Sequence, residues 1–200
     1  RRFGGPEVIS VEEVTLEKPG AGQVILRHQA SAIHLADPLM REGLYYYKPE
    51  LPAVLGIEGA GIIEELGPGV NDFKVGETVS YRFSLGSYSE KRVIDTHHLQ
   101  KLPNEIDARV SVAIGTRGLT AQYLLRQLYP LKPEDIVLIH AAAGGMGGIL
   151  TQWAKHLGVI VIGTVGSKEK VKVAELNGCD YVINYNQDNF SDVVLDITNN

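Results

Sequence analysis

The chain reads as a β domain followed by an α/β domain: a small, partly open β-barrel, then the first half of a doubly wound parallel sheet. Three observations carry this reading. Residues 1 to about 100 hold several short β-rich runs separated by glycine turns, the pattern of a small barrel. From Ile136 onward, an apolar run, a glycine-rich turn and a helical pattern follow one another, and strand-like and helix-like stretches then alternate. Between the two halves the composition changes after Pro103. We place the boundary near residue 112, which gives domains over 1–112 and 113–200.

In the first half, Val8-Ile9-Ser10-Val11 reads as a short strand. Gln23 to Ala32 reads as a longer one, entered from a Pro19-Gly20-Ala21-Gly22 turn. Gly59 to Gly67 is another, and its glycines suggest close backbone approach or a bend at a barrel corner. Glu77 to Tyr81 and Tyr88 to Ile94 complete the set. The stretch from Ile33 to Pro49 is aromatic and reads as irregular, long enough to be functional and not only a connection.

Ala108 to Tyr129 is apolar with helical spacing and ends before Pro130. Ile136-Val137-Leu138-Ile139 is a buried-strand run, and Ile149 to Leu157 has helical periodicity. Between them, Ala142, Gly144 and Gly147 occupy the three small positions of G-x-G-x-x-G, with alanine in the first. Small residues there let the backbone approach a pyrophosphate, and the helix N-terminus offers free N–H groups and a positive dipole end. Strand Val159 to Gly163, helix Lys168 to Asn177, strand Tyr181 to Asn184 and a helix over Asp188 to Thr198 follow. Such a fold needs a second mononucleotide half to complete its sheet. The expectation is therefore a partial copy of a longer enzyme, with an open sheet edge.

Composition narrows the class. An apolar fraction of 44% supports an ordinary globular core, and a net charge of −5 argues against a nucleic-acid partner. No apolar run approaches the ~18–20 residues of a membrane span, and no secretory signal is visible, so no membrane partner is expected. The single cysteine, Cys179, fits a cytoplasmic location.

The order of pieces, and the residues in them, resembles the medium-chain dehydrogenase/reductase superfamily. Within it the chain resembles the NADPH-dependent quinone oxidoreductases, the zeta-crystallin-like branch. The matching pieces are Gly4 to Val8, Arg41 to Tyr45, Leu55 to Gly61, Gly86-Ser87-Tyr88, Arg117 to Ala121, Ala141 to Gly147, Gly163 to Gly166 and Ile183 to Tyr185. The resemblance implies a GroES-like barrel, a Rossmann dinucleotide-binding domain, NADPH as cofactor and a quinone as substrate. Activated alkenes and enones are the alternative substrates, and a non-catalytic nucleotide-binding module is the alternative function. It also implies a longer chain that forms a homodimer.

Zinc is not expected. In the related zinc dehydrogenases a Gly-His-Glu motif supplies a ligand; here Gly56-Ile57-Glu58 puts isoleucine in that place. His34 falls near the first cysteine position, and no cysteine lies near Ala113. Catalytic zinc takes three protein ligands, and His34 and Glu58 make two at best.

The resemblance assigns the cofactor site residue by residue. Gly144, Gly145, Met146 and Gly147 meet the pyrophosphate. Gly166, Ser167, Lys170 and Tyr185 meet the 2′-phosphate. Leu35, Ala36, Asp37, Pro38 and Leu39, with Thr120 and Tyr123, face the nicotinamide and its ribose. Independently, the second nucleotide-unit strand lacks the acidic residue at its tip that an NAD enzyme uses on the ribose hydroxyls, which favours NADP. Glu169 lies in the same turn and is expected to point elsewhere. His34, where the reductases usually carry asparagine, and Tyr45 are the substrate-pocket candidates. His34 can bond a substrate oxygen, can donate a proton near neutral pH, or can be held by local backbone. Asp37 can equally be a turn residue, and Tyr45, with Tyr46 and Tyr47, can equally pack a loop. No catalytic residue is assigned, because a reduced quinone delocalises its charge and the protein's task is positioning.

Overall fold

The computed structural model describes residues 2–199, which divide into two compact units between Thr116 and Arg117. The first unit is built on a five-stranded antiparallel sheet in the order β4-β1-β2-β3-β5. Its strands are β1 (Gln23–Ser31), β2 (Glu58–Leu66), β3 (Thr78–Arg82), β4 (Lys91–Asp95) and β5 (Leu99–Lys101). Strand β1 carries two irregularities, at Ile25/Leu26 and His28/Ala30, which bend it as a barrel strand must bend. The glycine reading of β2 is met at Gly61, where an added Cβ would lie 2.0 Å from the Arg27 carbonyl oxygen of β1. Val24, Leu26, Ile63, Val79, Tyr81 and Ile94 fill the interior.

Three expectations for this unit need correction, and one strand was not expected. Val8-Ile9-Ser10-Val11 forms no strand. Pro6 opens a single tight turn, and the Val8 and Ile9 N–H groups bond back to Gly5 and Pro6 instead of to a ladder partner. The stretch after Ile33 is not irregular throughout, because α1 (Ala36–Glu42) lies inside it. Pro38 sits in the first turn of that helix, where its missing N–H costs nothing, and Gly43 ends the helix at φ 71°. Strand β4 begins at Lys91, three residues later than expected, because the Gly86 turn and Tyr88 serve other contacts. Strand β5 went unread: three residues are too few to show periodicity, and pairing with β3 opposite Tyr81 defines it.

Helix α2 (Ala108–Gln122) contains the division between the units and continues into a wider π-type turn, Tyr123–Leu128, before Pro130. The second unit is a three-stranded parallel sheet in the order β6-β7-β8: β6 (Ile136–Ile139), β7 (Ile160–Val165) and β8 (Tyr181–Asn184). Helices α3 (Gly145–His156), α4 (Lys168–Leu176) and α5 (Phe190–Thr198) alternate with the strands. Parallel strands need such crossovers, and the near-continuous apolar run of β7 follows from its position between two neighbours. Boundaries differ from the reading: α3 starts four residues earlier, inside the glycine run, β7 starts one residue later and extends two residues further, α4 ends one residue earlier, and α5 starts two residues later. Among the described residues β6 pairs on one side only, the open edge expected for half of a doubly wound sheet. No described helix is long and apolar enough to cross a membrane.

Candidate functional site

The glycine turn is a site made of backbone. After β6 the chain passes through Ala141, at φ 52°, and the Gly144 N–H bonds the Ala141 carbonyl at 2.7 Å. Gly144 is the N-cap of α3, and no side chain caps it. The first N–H groups of the helix are therefore open to an anion. Gly147 is required by contact: a Cβ there would lie 2.2 Å from the Ala141 oxygen. Ala142 is fully buried, and its N–H bonds the Thr164 carbonyl of β7, which ties the turn to the sheet. Met146 lies in the first turn of α3 between the two packed glycines. The sequence reading missed Arg117. Its guanidinium lies against the turn, where a Cβ on Gly145 would be 2.9 Å from Arg117 Nε. Arg117 precedes Gly145 by 28 positions, so no local motif joins them.

At the tip of β7 the structure brings Gly166, Ser167, Lys170 and Tyr185 together. A Cβ on Gly166 would lie 2.5 Å from the Tyr185 hydroxyl, so only glycine lets that ring close over the turn. Ser167 is the N-cap of α4, its hydroxyl accepting the Lys170 N–H at 3.4 Å, and the Lys170 side chain is exposed in the first helical turn. Glu169 is exposed in the same first turn of α4. Its carboxyl is held below the usual carboxylate range, the neighbouring Ser167 hydroxyl first among the causes. Thr120 lies in α2, and Tyr123, half exposed, opens the π-type turn.

In the first unit, His34, Asp37, Glu58 and Tyr88 form an interlocked cluster. His34 Nε2 lies 2.7 Å from Glu58 Oε2, and Glu58 Oε1 accepts the Thr116 N–H at 2.9 Å. Glu58 is 2% exposed and both its oxygens are occupied. The side chain of His34 is therefore held by a carboxylate and not by local backbone. The turn role of Asp37 is present as well: its Oδ2 accepts the His34 N–H at 2.7 Å and the Tyr88 hydroxyl at 2.8 Å. Its Oδ1 is buried with no protein partner among the described residues. Burial, and then the bond to Asp37, push the Tyr88 hydroxyl pKa up, so that oxygen stays a donor. Leu35 is 80% exposed at the start of α1, while Ala36, Pro38 and Leu39 are partly covered. Tyr45 rests on Tyr46 with ring centroids 4.4 Å apart.

The donor set does not fit catalytic zinc. Ile57 is apolar and 9% exposed, His34 Nε2 and both Glu58 oxygens already have partners, and two donors fall short of three. The glycine turn does fit a dinucleotide: it has a cradle that a Cβ would fill, open N–H groups and a guanidinium beside them.

An antiparallel barrel followed in the chain by a parallel sheet with this turn defines a dehydrogenase-type scaffold. The chain belongs to the alcohol dehydrogenase GroES-like domain family, whose model matches residues 20–133; the model described as zinc-binding dehydrogenase matches residues 145–200. Its relatives include a 2-haloacrylate reductase of Burkholderia sp, 46% identical over 98% of this chain and 60% of that protein. A quinone oxidoreductase of Pseudomonas aeruginosa is 44% identical over the same shares. The crystal structure of Escherichia coli quinone oxidoreductase complexed with NADPH superposes with a TM-score of 0.92 at 40% identity, covering 99% of this chain and 61% of that one. The chain thus spans about 60% of the length of the curated relatives it matches.

Proposed function

We propose that this chain supplies the barrel and the first nucleotide-binding half of a zinc-independent NADPH:quinone oxidoreductase. The observation that carries the reading is the glycine-tight start of α3 together with a β7 tip that ends in Gly166 and Ser167, without an acid, near Lys170. The N–H groups from Gly144 to Gly147, with the Arg117 guanidinium, would hold a pyrophosphate. Lys170, Ser167 and Tyr185 would hold a 2′-phosphate, where charge-assisted donors are strongest. Glu169 at the same turn opposes that charge, so Lys170 is the residue on which discrimination rests. Leu35 to Leu39, and separately Thr120 and Tyr123, are assigned to the nicotinamide half by resemblance. When bound, NADPH supplies the hydride, and the chemistry is the cofactor's. The protein's part is to orient the rings and exclude water.

A second reading, reduction of activated alkenes, is favoured by the 2-haloacrylate reductase relative and by His34. Glu58 orients that imidazole, and an alkene substrate, unlike a quinone, takes a proton at carbon. A barrel domain over 1–112, a homodimeric longer form and a cytoplasmic location go with either reading.

The test is cofactor choice. NADPH should bind more tightly than NADH in fluorescence titrations, and Lys170→Ala should weaken NADPH by about 1.5–3 kcal/mol while leaving NADH nearly unchanged. Equal titration curves for the two cofactors in the parent protein would reject it.

A further inference from the structure

Away from both clusters, the turn between β4 and β5 collects a third set of chemically active side chains. Asp95, His97 and His98 each bring a ligand atom within 4.8 Å of the others. The turn is fixed at both ends. Asp95 is the last residue of β4 and pairs with Gln23 of β1, and Leu99, 8% exposed, starts β5 against Tyr81. In the middle, Thr96 bonds the Gly22 carbonyl through its N–H at 2.9 Å and its hydroxyl at 3.0 Å. Side chains on a turn tied down in this way are partly pre-organised, which lowers the ordering cost of binding.

We propose that Asp95, His97 and His98 form a binding site for a borderline divalent transition cation such as Zn2+ or Ni2+, distinct from the nucleotide site. Two imidazoles and one carboxylate suit those ions, whereas Ca2+ and Mg2+ select oxygen-rich shells. Bonds of about 2.0–2.2 Å place tetrahedral donors about 3.3–3.5 Å apart, so the three groups need to close by roughly 1.5 Å at most, which side-chain rotation supplies. The two rings already stand with centroids 4.0 Å apart and planes tilted by 41°. Gln23 Nε2 donates to Asp95 Oδ1 at 3.3 Å and so orients the carboxylate, as outer partners of metal ligands do. Protons compete with a metal ion for the two imidazoles. The positive charge of Arg92 also opposes a cation, and three protein donors leave a coordination place for water. Affinity below that of a closed four-ligand structural site follows.

The experiment is equilibrium dialysis of the chelator-stripped protein against ZnCl2, NiCl2 and CaCl2, with bound metal counted by atomic absorption. Zn2+ and Ni2+ should bind at one equivalent and Ca2+ should not. His97→Ala with His98→Ala should weaken Zn2+ at least tenfold, and Asp95→Asn should weaken it less, with unchanged far-UV circular dichroism reporting an intact fold. In imidazole NMR spectra Zn2+ should shift His97 and His98 and leave His34 and His140 in place. The assignment is overturned if no Zn2+ binds at tens of micromolar, if the double variant binds as the parent does, or if the shifted resonances belong to other histidines.

Discussion

The glycine turn of the second unit and the His34 cluster of the first are two candidate sites built in opposite ways. In the turn, function rests on backbone and on side chains that are missing: a Cβ on Gly147 has no room, and the open N–H groups of α3 face outward because nothing caps them. In the cluster, function rests on side chains that hold one another, His34 on Glu58, Glu58 on the Thr116 N–H, and Tyr88 on Asp37. A backbone site should fail abruptly when one atom is added. A side-chain network should weaken in steps as its bonds are removed.

The sharpest way to break this contrast is Gly147→Val. Its branches would meet the Ala141 carbonyl, displacing the turn proposed to face a pyrophosphate. NADPH affinity should fall more than a hundredfold in a direct titration, and overpacking should destabilise the fold by about 1–3 kcal/mol. Retained affinity would mean that the backbone approach is not what holds the nucleotide.

Glu58→Ala tests the other side. It removes the carboxylate that holds His34 Nε2 and accepts the Thr116 N–H, and should cost about 1–3 kcal/mol of stability by denaturant unfolding. Glu58→Gln keeps an acceptor for Thr116 and should cost less. NADPH affinity should change far less than with Gly147→Val; an equal loss would erase the distinction between the sites.

The smallest expected effect is at Tyr88. Tyr88→Phe removes one of two donors to Asp37 Oδ2, and the His34 N–H remains, so a loss of about 1 kcal/mol is expected. A thermal melt is the measurement, and a loss as large as that of Glu58→Ala would show that the network is not graded.

The turn was legible in the sequence because its requirements are local. Small residues at 142, 144 and 147 lie within one strand–turn–helix unit, and the absence of an acid after β7 can be read by eye. The cluster was legible only as separate names. Glu58 lies 24 positions from His34, and Thr116 lies 58 positions from Glu58. Nothing in spacing announces that the three meet.

The same limit explains the misreadings. Helix α1 is short, with Asp37 buried, so its pattern is not that of an amphipathic helix. Strand β5 exists through its pairing with β3, and the expected strand at Val8 fails because Pro6 offers a turn first.

The sequence by itself determined the fold class, the alternation of strands and helices in the second unit and the glycine turn. Each depends on hydrophobic period, turn chemistry or residue size within about a dozen neighbouring positions. Only the tertiary structure decided the partner of His34, the place of Arg117 beside Gly145 and the gathering of Asp95, His97 and His98 on a pinned turn. Such contacts depend on strand register and chain packing, and a carboxylate or an imidazole carries no mark in the sequence of which distant atom it will meet.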